Sequence, residues 1–314
     1  MILKILDAHA DNPGDLSWDN FKKYTDVTVY DRTTQDEVIE RIKDADAIII
    51  NKVVITEDIL KETPNLKYIG VCATGYNVVD LDACNKRGIV VTNVPAYSTD
   101  AVAQHVFAFI TYFTNHVALH NEAVHHGDWI TSPDFCFWNK PLMELSGKTL
   151  GILGYGSIGK KVAEIGKAFG LKVIVNTRTQ KEGMPESVTW EEMLSRADFL
   201  SLHAPLTPQT TNIINKDTLS LMKPSSYIIN TARGGFIVEQ ELADALKSNK
   251  IAGYAADVIL HEPMEKDCPL LGCPNCVLTP HTAWAPRETR ARLLDVCFNN
   301  FTSWISGKTE NSVN

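Results

Sequence analysis

Short apolar runs alternate with helically spaced apolar residues along most of the chain. In the first third, the runs predict strands at residues 4–8, 27–30, 47–50, 68–71 and 90–92, and helical spacing between them predicts helices at 35–43 and 56–61. This alternation is typical of a parallel sheet covered by helices. Loops 51–54 and 73–77 each follow a strand, so we expect them to face a ligand, since open α/β sheets bind ligands at the carboxyl ends of strands.

The pattern changes near residue 98, where a long, densely apolar helix is predicted. It covers residues 101–119 with Ser98 or Thr99 as its N-cap, and we expect it to be buried on most sides. Further strands are then predicted at 149–153, 172–176, 199–202, 227–230, 252–256 and 276–278, and helices at 160–169, at 239–248 and after a capping box at 189–192. The last helix, 287–305, has no following strand and is expected to return to the first part. We therefore expect an α/β chain of two doubly wound parallel-sheet domains, residues 1–98 plus 287–314 and residues 99–286.

A glycine-rich turn joins the first strand and helix of the second part. Residues 154–159 read G-x-G-x-x-G, with glycines at Gly154, Gly156 and Gly159 and with Ser157 and Ile158 between them. The first glycine permits the tight turn, the second lets the backbone approach a pyrophosphate, and the third lets helix and strand pack closely. The flanking strands and helix predict a Rossmann cofactor domain that binds a dinucleotide. The first part has no such signature, so we expect a flavodoxin-like substrate domain there.

The end of the second strand of this unit bears on the choice of cofactor. An acidic residue there normally bonds the adenosine ribose of NAD, but this chain has Thr177 and Arg178. An arginine without a neighbouring carboxylate suits a 2′-phosphate, because the guanidinium is a planar donor and nothing repels the anion. The sequence therefore favours NADP over NAD.

Three polar side chains follow later strands of the same domain. Reduction of a 2-keto acid needs a cation for the substrate carboxylate, and Arg233 supplies a bidentate donor. It also needs an acid to protonate the developing alkoxide, and an imidazole such as His281 titrates near the working pH. A carboxylate such as Glu262 beside the imidazole would favour the imidazolium and fix its tautomer. This chemistry requires no metal.

Composition excludes several other classes of protein. The 314 residues are 44% hydrophobic and 22% charged, and the formal net charge of −8 argues against a general nucleic-acid binder. No apolar run approaches a membrane span, and the first residues lack the order of a signal peptide, so we expect a cytoplasmic protein without membrane partners. Seven scattered cysteines indicate reduced thiols.

Three further features bear on a metal site or on a partner. Cys268, Cys273 and Cys276 have a spacing found among iron–sulfur ligands, but three loop cysteines more often fill space. His116 and His120 are four residues apart, and without a third ligand they indicate a solvated or interface surface rather than a metal pair. The aromatic run 134–138 is expected to form a hydrophobic arm for a partner subunit, unless it packs under its own domain.

The chain resembles the D-isomer-specific 2-hydroxyacid dehydrogenases over nearly its whole length. The matching stretches, in order and spacing, are residues 154–159, 204–210, 230–234, 257–258 with 262–263, and 280–283. Within that family, residues 73–77 and 280–284 are most similar to the glycerate dehydrogenases, also called hydroxypyruvate reductases. The resemblance implies an oxidoreductase that transfers a hydride between a nicotinamide cofactor and a small 2-keto or 2-hydroxy acid.

The resemblance also implies roles for individual residues. It places Arg233 on the substrate carboxylate, His281 as acid and base, and Glu262 as the partner of His281. Residues expected at the substrate are Val53, Thr74, Gly75, Arg233 and Trp284. Residues expected at the cofactor are Val102, Gly154, Gly156, Ser157, Ile158, Gly159, Thr177, Arg178, His203, Pro205, Thr231, Ala232, Asp257, on the nicotinamide amide, and His281. A homodimer built on the helix after Ser98 is implied as well.

Two departures and several alternatives stay open at this point. Gln104 stands where many relatives carry an acid, and Arg178 replaces the ribose-binding acid. Reduction of hydroxypyruvate or glyoxylate is the leading expectation, and a D-lactate or D-3-phosphoglycerate dehydrogenase is the alternative. A formate dehydrogenase is disfavoured because those relatives lack an acid in the role of Glu262. A dinucleotide-sensing corepressor, which binds partners rather than turning over substrate, is the alternative from another class.

Overall fold

The computed structural model describes residues 1–180 and 182–314, and they form two compact units. The first unit comprises Met1–Ser98 and Trp284–Asn314, and the second comprises Thr99–Ala283. In these described ranges no helix has the length and apolar character needed to cross a membrane.

Strands and helices alternate along most of the described chain. The strands are β1 (Ile2–Ile5), β2 (Asp26–Val29), β3 (Ala47–Ile50), β4 (Tyr68–Val71), β5 (Val90–Thr92), β6 (Thr149–Leu153), β7 (Lys172–Asn176), β8 (Glu186–Ser187), β9 (Phe199–Leu202), β10 (Tyr227–Asn230), β11 (Gly253–Ala256) and β12 (Cys276–Leu278). The α-helices are α1 (Ala8–Asp11), α2 (Asp19–Lys22), α3 (Val38–Ile42), α4 (Glu57–Lys61), α5 (Leu81–Arg87), α6 (Thr99–Asn115), α7 (Val117–His126), α8 (Ser157–Ala168), α9 (Trp190–Arg196), α10 (Lys216–Ser220), α11 (Glu239–Lys247) and α12 (Arg287–Ile305). Short 3-10 helices lie at Gln35–Glu37 and Gly234–Phe236.

The first unit contains a parallel five-stranded sheet in the order β2-β1-β3-β4-β5. This is the flavodoxin-like doubly wound order, as expected. All of β3 is buried, and its alternate residues face two apolar clusters: Ile48 and Ile50 belong to one, and Ala47 and Ile49 belong to the other. Burial on both faces is the reason why such strands read as continuous apolar runs.

Helix α12 supplies much of the second cluster. Leu293, Cys297 and Phe301 of this helix are buried with Phe21 and Tyr68 of the first 98 residues. The apolar face of the last helix is therefore part of the core of the first unit. This contact explains why the helix follows the last strand without a strand of its own.

The second unit contains a parallel seven-stranded sheet in the order β12-β11-β10-β9-β6-β7-β8. The chain order reverses between β6 and β9, which is the topological switch point of a Rossmann fold. Apolar residues cover both faces here too, with Leu200 and Leu202 in one cluster and Phe199 in the other. The predicted fold class, two doubly wound parallel-sheet domains, is confirmed.

The structure differs from the sequence expectations in local details. The helix expected at 101–119 ends at Asn115, because His116 adopts a left-handed conformation (φ 48°) and α7 begins after it. Burial on this helix ends near Thr114, and Val117 is 67% exposed. The helix expected at 35–43 begins as a 3-10 turn, and the two-residue edge strand β8 was not predicted.

The N-terminus of α9 contains half of the expected capping box. The Thr189 hydroxyl accepts the N–H of Glu192 at 3.2 Å, as expected. The Glu192 carboxylate, however, accepts from Arg196 at 2.7 Å, one turn further along the helix. The arginine therefore takes the carboxylate that the reciprocal bond would have used.

Candidate active site

The glycine turn between β6 and α8 has the geometry of a phosphate cradle. Gly154 is left-handed (φ 89°), and a Cβ there would lie 2.6 Å from the Ala204 nitrogen. A Cβ at Gly159 would lie 2.2 Å from the Gly154 oxygen, whereas one at Gly156 would meet no heavy atom within 4 Å. The first and third glycines are therefore required by packing, and the second faces open space. This is the division of roles that a bound pyrophosphate requires.

The start of α8 adds electrostatic complementarity to this cradle. Gly156 is the N-cap, Ser157 and Ile158 begin the helix, and its first turn carries no acidic residue. The free N–H groups and the positive end of the helix dipole favour an anion there. Val102 is buried on α6, and this helix packs against α8.

The loop after β9 lies directly against the glycine turn. His203 donates its N–H to the Leu153 oxygen at 2.7 Å, and its ring Nε2 is 2.8 Å from the Ser201 hydroxyl. Burial lowers the pKa of His203 to about 3, so its ring is neutral at physiological pH. Pro205 follows and accepts a bond from the Thr210 hydroxyl at 2.9 Å. The uncharged, hydrogen-bonded loop at His203 and Pro205 therefore lies beside the glycine turn.

The turn after β10 offers a buried polar atom without a protein partner. Among the described residues, the Thr231 hydroxyl is buried and has no hydrogen-bond partner. Asn230 fixes this turn, since it accepts from Ala232 N at 3.1 Å and donates to the Arg233 oxygen at 2.8 Å. A buried hydroxyl without a hydrogen-bond partner costs free energy of folding. The Thr231 hydroxyl is therefore suited to hydrogen-bond a bound polar ligand. Together with the glycine cradle, it fits a dinucleotide.

Residues at the end of β7 would distinguish the free ribose of NAD from the 2′-phosphate of NADP. The Asn176 amide donates to the Val188 oxygen at 2.9 Å, which fixes it within the sheet edge. Thr177 is half-buried and Arg178 is exposed. No carboxylate occupies residues 176–180, so the positive charge of Arg178 stands next to an uncharged strand end.

The structure brings Glu262 and His281 into direct contact. His281 Nδ1 lies 2.6 Å from Glu262 Oε2, and both side chains are about one-third exposed. The bond leaves the other ring nitrogen of His281, Nε2, free of this carboxylate. Such a carboxylate holds the imidazole in one orientation and stabilises its protonated form.

The Arg233 turn packs tightly against the segment that carries Glu262. A Cβ at Gly234 would lie 1.9 Å from the carbonyl carbon of Ile259. Only glycine therefore fits between the Arg233 turn and this segment. Arg233 itself is exposed, and its Nη1 donates to the Ala232 oxygen at 2.7 Å. All three side chains predicted for the chemistry belong to the second unit.

Asp257 organises the turn that carries His281. Its carboxylate is 1% exposed and accepts from Thr282 N at 2.8 Å, from Ala283 N at 2.7 Å and from the Thr279 hydroxyl at 2.5 Å. His281 has a left-handed backbone (φ 55°), which is uncommon for a non-glycine residue. The bonds to Asp257 on both sides of His281 hold it in that conformation.

His105 of α6 completes this network. Its Nε2 lies 3.0 Å from the Thr279 hydroxyl, whose proton is already donated to Asp257. Nε2 of His105 is therefore the donor to the Thr279 oxygen, so this nitrogen carries a hydrogen. Its neighbour Gln104 is exposed on the same helix. Sequence reasoning did not identify His105 or Thr279, because their side chains contact the site only through Asp257.

The remaining predicted residues lie in the first unit. Val53 is buried in the loop after β3, and Thr74 donates its hydroxyl to the Val94 oxygen at 3.0 Å. Gly75 follows Thr74 and is half-buried, and Trp284 stacks edge-on against Tyr97 with ring centroids 6.4 Å apart. These residues belong to loops at the carboxyl ends of β3 and β4 and to the segment before α12.

Asp7 fixes one of these loops, and it was not predicted. Its carboxylate accepts from the backbone nitrogens of Asn51 at 2.8 Å, Lys52 at 2.5 Å and Val53 at 3.1 Å. Asp7 lies inside the strand predicted at residues 4–8, whereas β1 ends at Ile5, and no sequence signal pointed to this role. One carboxylate therefore shapes the loop that contains Val53.

The cysteine and histidine clusters have other partners. Cys273 is buried in the core of the second unit, with Cys268 and Cys276 packed against the same cluster, and Cys276 lies in β12 rather than in a loop. The ring nitrogens of His120 lie 2.9 Å from the His116 oxygen and 3.2 Å from Asn139 N. Within the part of the chain that the structure describes, no group of three or more His, Cys, Asp or Glu residues could hold a metal ion.

Comparisons with known proteins identify the family of the chain. The family described as D-isomer specific 2-hydroxyacid dehydrogenase, NAD binding domain, matches residues 107–283. A hydroxypyruvate reductase of Blautia hydrogenotrophica is 42% identical over the full length of both chains, and a glycerate dehydrogenase of Methylorubrum extorquens is 39% identical over 89% of each.

A solved structure extends the likeness to three dimensions. It is that of an acyclic imino acid reductase (Bsp5) in complex with NADPH and D-Arg, with 33% identity, a TM-score of 0.87 and full coverage of both chains. The resemblance inferred from the sequence motifs is thereby confirmed. The chain belongs to the D-isomer-specific 2-hydroxyacid dehydrogenases and is a nicotinamide-dependent oxidoreductase.

Proposed function

We propose that the enzyme reduces hydroxypyruvate or glyoxylate, to D-glycerate or glycolate, and that it favours NADPH over NADH. The observation that carries the proposal is the 2.6 Å contact between His281 and Glu262. Glu262 lies on the segment against which the Arg233 turn packs, and His281 lies in the turn after β12. The names of two relatives, a hydroxypyruvate reductase and a glycerate dehydrogenase, indicate the substrate.

Three side chains perform the chemistry in this proposal. Arg233 binds the substrate carboxylate and orients the keto group. His281 donates a proton to the carbonyl oxygen as it becomes an alkoxide. Glu262 stabilises the protonated imidazole before the transfer and keeps its orientation afterwards. The reduced nicotinamide, when bound, supplies the hydride that adds to the carbonyl carbon.

The cofactor contacts are assigned to the second unit. Gly154, Gly156 and Gly159 with the start of α8 hold the pyrophosphate. The other assigned residues are Val102, Ser157, Ile158, Thr177, Arg178, His203, Pro205, Thr231, Ala232 and Asp257. The preference for NADPH rests on Arg178, because a guanidinium beside an uncharged strand end suits a 2′-phosphate.

The first unit is assigned the role of substrate domain. In this assignment the backbone at Thr74 and Gly75 holds the substrate carboxylate, and Val53 and Trp284 limit the size of the substrate. The support is their position on loops at the carboxyl ends of parallel strands, where open α/β sheets bind ligands. Asp7 keeps the Val53 loop in one conformation through its three backbone bonds.

The proposal includes a cytoplasmic homodimer built on the helix after Ser98, with a hydrophobic arm that contacts the second copy. The aromatic arm expected at residues 134–138 lies after α7 in an exposed stretch, where Ile130 is 88% exposed, Phe135 90% and Trp138 65%. The arm is fixed to this stretch, since Trp129 Nε1 donates to the Phe135 oxygen at 3.0 Å. A fixed apolar surface of this kind suits a second copy of the chain.

A histidine substitution tests the proposed chemistry. His281→Gln should lower kcat for hydroxypyruvate reduction about 10²–10⁴-fold, because the general acid is lost. Binding of the reduced cofactor, followed by its fluorescence, should stay close to that of the wild type. His261→Gln is the matched control, since His261 is an exposed imidazole in the same region. An unchanged kcat in His281→Gln would remove this residue from the mechanism.

A further inference from the structure

One carboxylate ties together the two ends of the segment that carries Glu262. Glu239, the first residue of α11, accepts the backbone N–H of Leu260 on Oε1 at 2.8 Å. Its other oxygen, Oε2, lies 3.9 Å from the Cys268 sulfur and accepts its S–H. Leu260 and Cys268 bracket Glu262, so a single side chain anchors this segment on both sides. The proposed function assigns no role to Glu239.

The segment between these anchors has little burial to hold it. Residues 260–267 are all exposed, whereas Cys268 is half-buried against the core. Apolar packing therefore contributes little to the conformation of Glu262, and hydrogen bonds from outside the segment must fix it. Helix α11 is a firm support for such bonds, because its Leu242, Ala243 and Leu246 are buried in the core of the second unit.

The backbone next to Leu260 connects the anchor to the catalytic pair. Ile259 N donates to Glu262 Oε1 at 3.2 Å, and Glu262 Oε2 contacts His281. Ile259 and Leu260 are adjacent, so a shift of the backbone at Leu260 would carry Ile259 N with it and move the Glu262 carboxylate relative to the imidazole. The bond from Glu239 to Leu260 N opposes that shift.

We propose that Glu239 is a positioning residue for the reaction, which acts by holding the Glu262 segment so that Glu262 stays bonded to His281. The proposal rests on the roles that the proposed function gives to Glu262 and His281. Cys268 takes part by fixing the second oxygen of Glu239. Loss of the anchor weakens the support that Glu262 gives to the protonated imidazole, without removing either catalytic group.

Charge and geometry must be separated in any test of this role. The titratable groups around the segment are Glu239 of α11, Tyr254 of β11, Cys276 of β12, His281 of the turn after β12, Cys268, and the segment's own His261, Glu262, Glu265, Lys266 and Asp267. Removing Glu239 also removes a negative charge from this set. Glu239→Gln removes the charge but keeps an oxygen that can accept the N–H of Leu260. Glu239→Met removes both the charge and the acceptor oxygen, with a side chain of similar length.

The same helix offers a matched control. Glu241 is also half-buried in the first turn of α11, and its carboxylate also accepts a backbone N–H, that of Lys216 at 2.5 Å. Lys216 begins α10, away from the Glu262 segment in sequence. Glu241→Met therefore loses a comparable bond without touching the proposed anchor.

The experiment measures kcat/KM for hydroxypyruvate reduction as a function of pH. In Glu239→Met, the pH at which kcat/KM falls by half should move down by about one unit, since the imidazolium loses support. Its kcat at neutral pH should fall about tenfold, as expected when a catalytic group is misplaced. Glu239→Gln and Glu241→Met should both keep the wild-type pH profile. Glu241→Met should nevertheless lose about as much thermal stability as Glu239→Met does.

The outcomes separate this inference from the proposed function. An active wild type with an unshifted profile in Glu239→Met overturns the positioning role, as does an equal shift in Glu239→Gln, which would assign the effect to charge. A wild type without activity on any small 2-keto acid contradicts the proposed function instead. If Glu239→Met fails to fold, Glu239→Asp replaces it, because the shorter side chain withdraws the carboxylate from Leu260 and keeps the charge.

Discussion

The contact between Gly234 and the Glu262 segment gives a quantitative prediction for Gly234→Ala. A Cβ at this position would lie 1.9 Å from the Ile259 carbonyl carbon and 2.3 Å from Leu260 N. Both neighbours are backbone atoms, so no flexible side chain can move aside. The Arg233 turn and the Ile259–Leu260 backbone must therefore separate.

The size of that separation sets the expected loss of rate. Ordinary contacts of a Cβ begin at 3.4 Å, so the two backbones must move apart by about 1.5 Å. Glu262 follows Ile259 through their hydrogen bond, and its contact with His281 is only 2.6 Å long. Since a misplacement of about 1 Å can lower a rate about 10²-fold, we expect kcat to fall by at least that factor.

The assay is kcat for hydroxypyruvate reduction, measured beside cofactor affinity and thermal unfolding. Gly156→Ala is the contrasting variant, because its Cβ meets no heavy atom within 4 Å. We expect it to fold normally and to bind the cofactor more weakly, whereas Gly234→Ala should retain cofactor binding. A folded Gly234→Ala protein with kcat within threefold of the wild type would refute this reasoning.

Three further predictions concern other parts of the chain. Burial raises the pKa of Asp11 to about 8, so the folded protein holds the Asp11 proton more tightly than the unfolded protein does. Wild-type stability therefore declines as the pH rises from about 5 to 8. Asp11→Asn should therefore gain, relative to wild type, up to about 1.4 kcal/mol of unfolding free energy per pH unit in urea titrations, and a pH-independent difference would contradict this. Phe135→Asp with Trp138→Asp should convert a dimer to a monomer in light scattering, whereas a variant that stays dimeric places the interface elsewhere. Arg178→Asp should weaken NADPH binding far more than NADH binding, and equal losses would make the arginine structural.

Buried strands made much of the fold predictable from the sequence. Strands such as β3 and β9 are covered on both faces, so nearly every residue in them is apolar and the run stands out. The edge strand β8 has only two residues and carries no such run. The end of α6 was missed for a related reason, because apolar residues continue past His116 although its backbone turns out of the helix.

The site was predictable where chemistry dictates a residue type. Glycines of a phosphate cradle, and an acid beside a histidine, leave a signature in the sequence. Asp7 and Glu239 leave none, because an acid after a strand or at the start of a helix is common for reasons of capping and dipole alone. Their bonds to Val53 and Leu260 join parts of the chain that only folding brings together.

The central claim is that this chain transfers a hydride from a reduced nicotinamide to a small 2-keto acid. The most direct test follows the absorbance of NADPH, and separately of NADH, with purified protein and hydroxypyruvate, glyoxylate, pyruvate or 3-phosphohydroxypyruvate. We predict consumption of NADPH with hydroxypyruvate or glyoxylate, in proportion to the D-glycerate or glycolate formed. No consumption of either cofactor with any of these acids would contradict the claim.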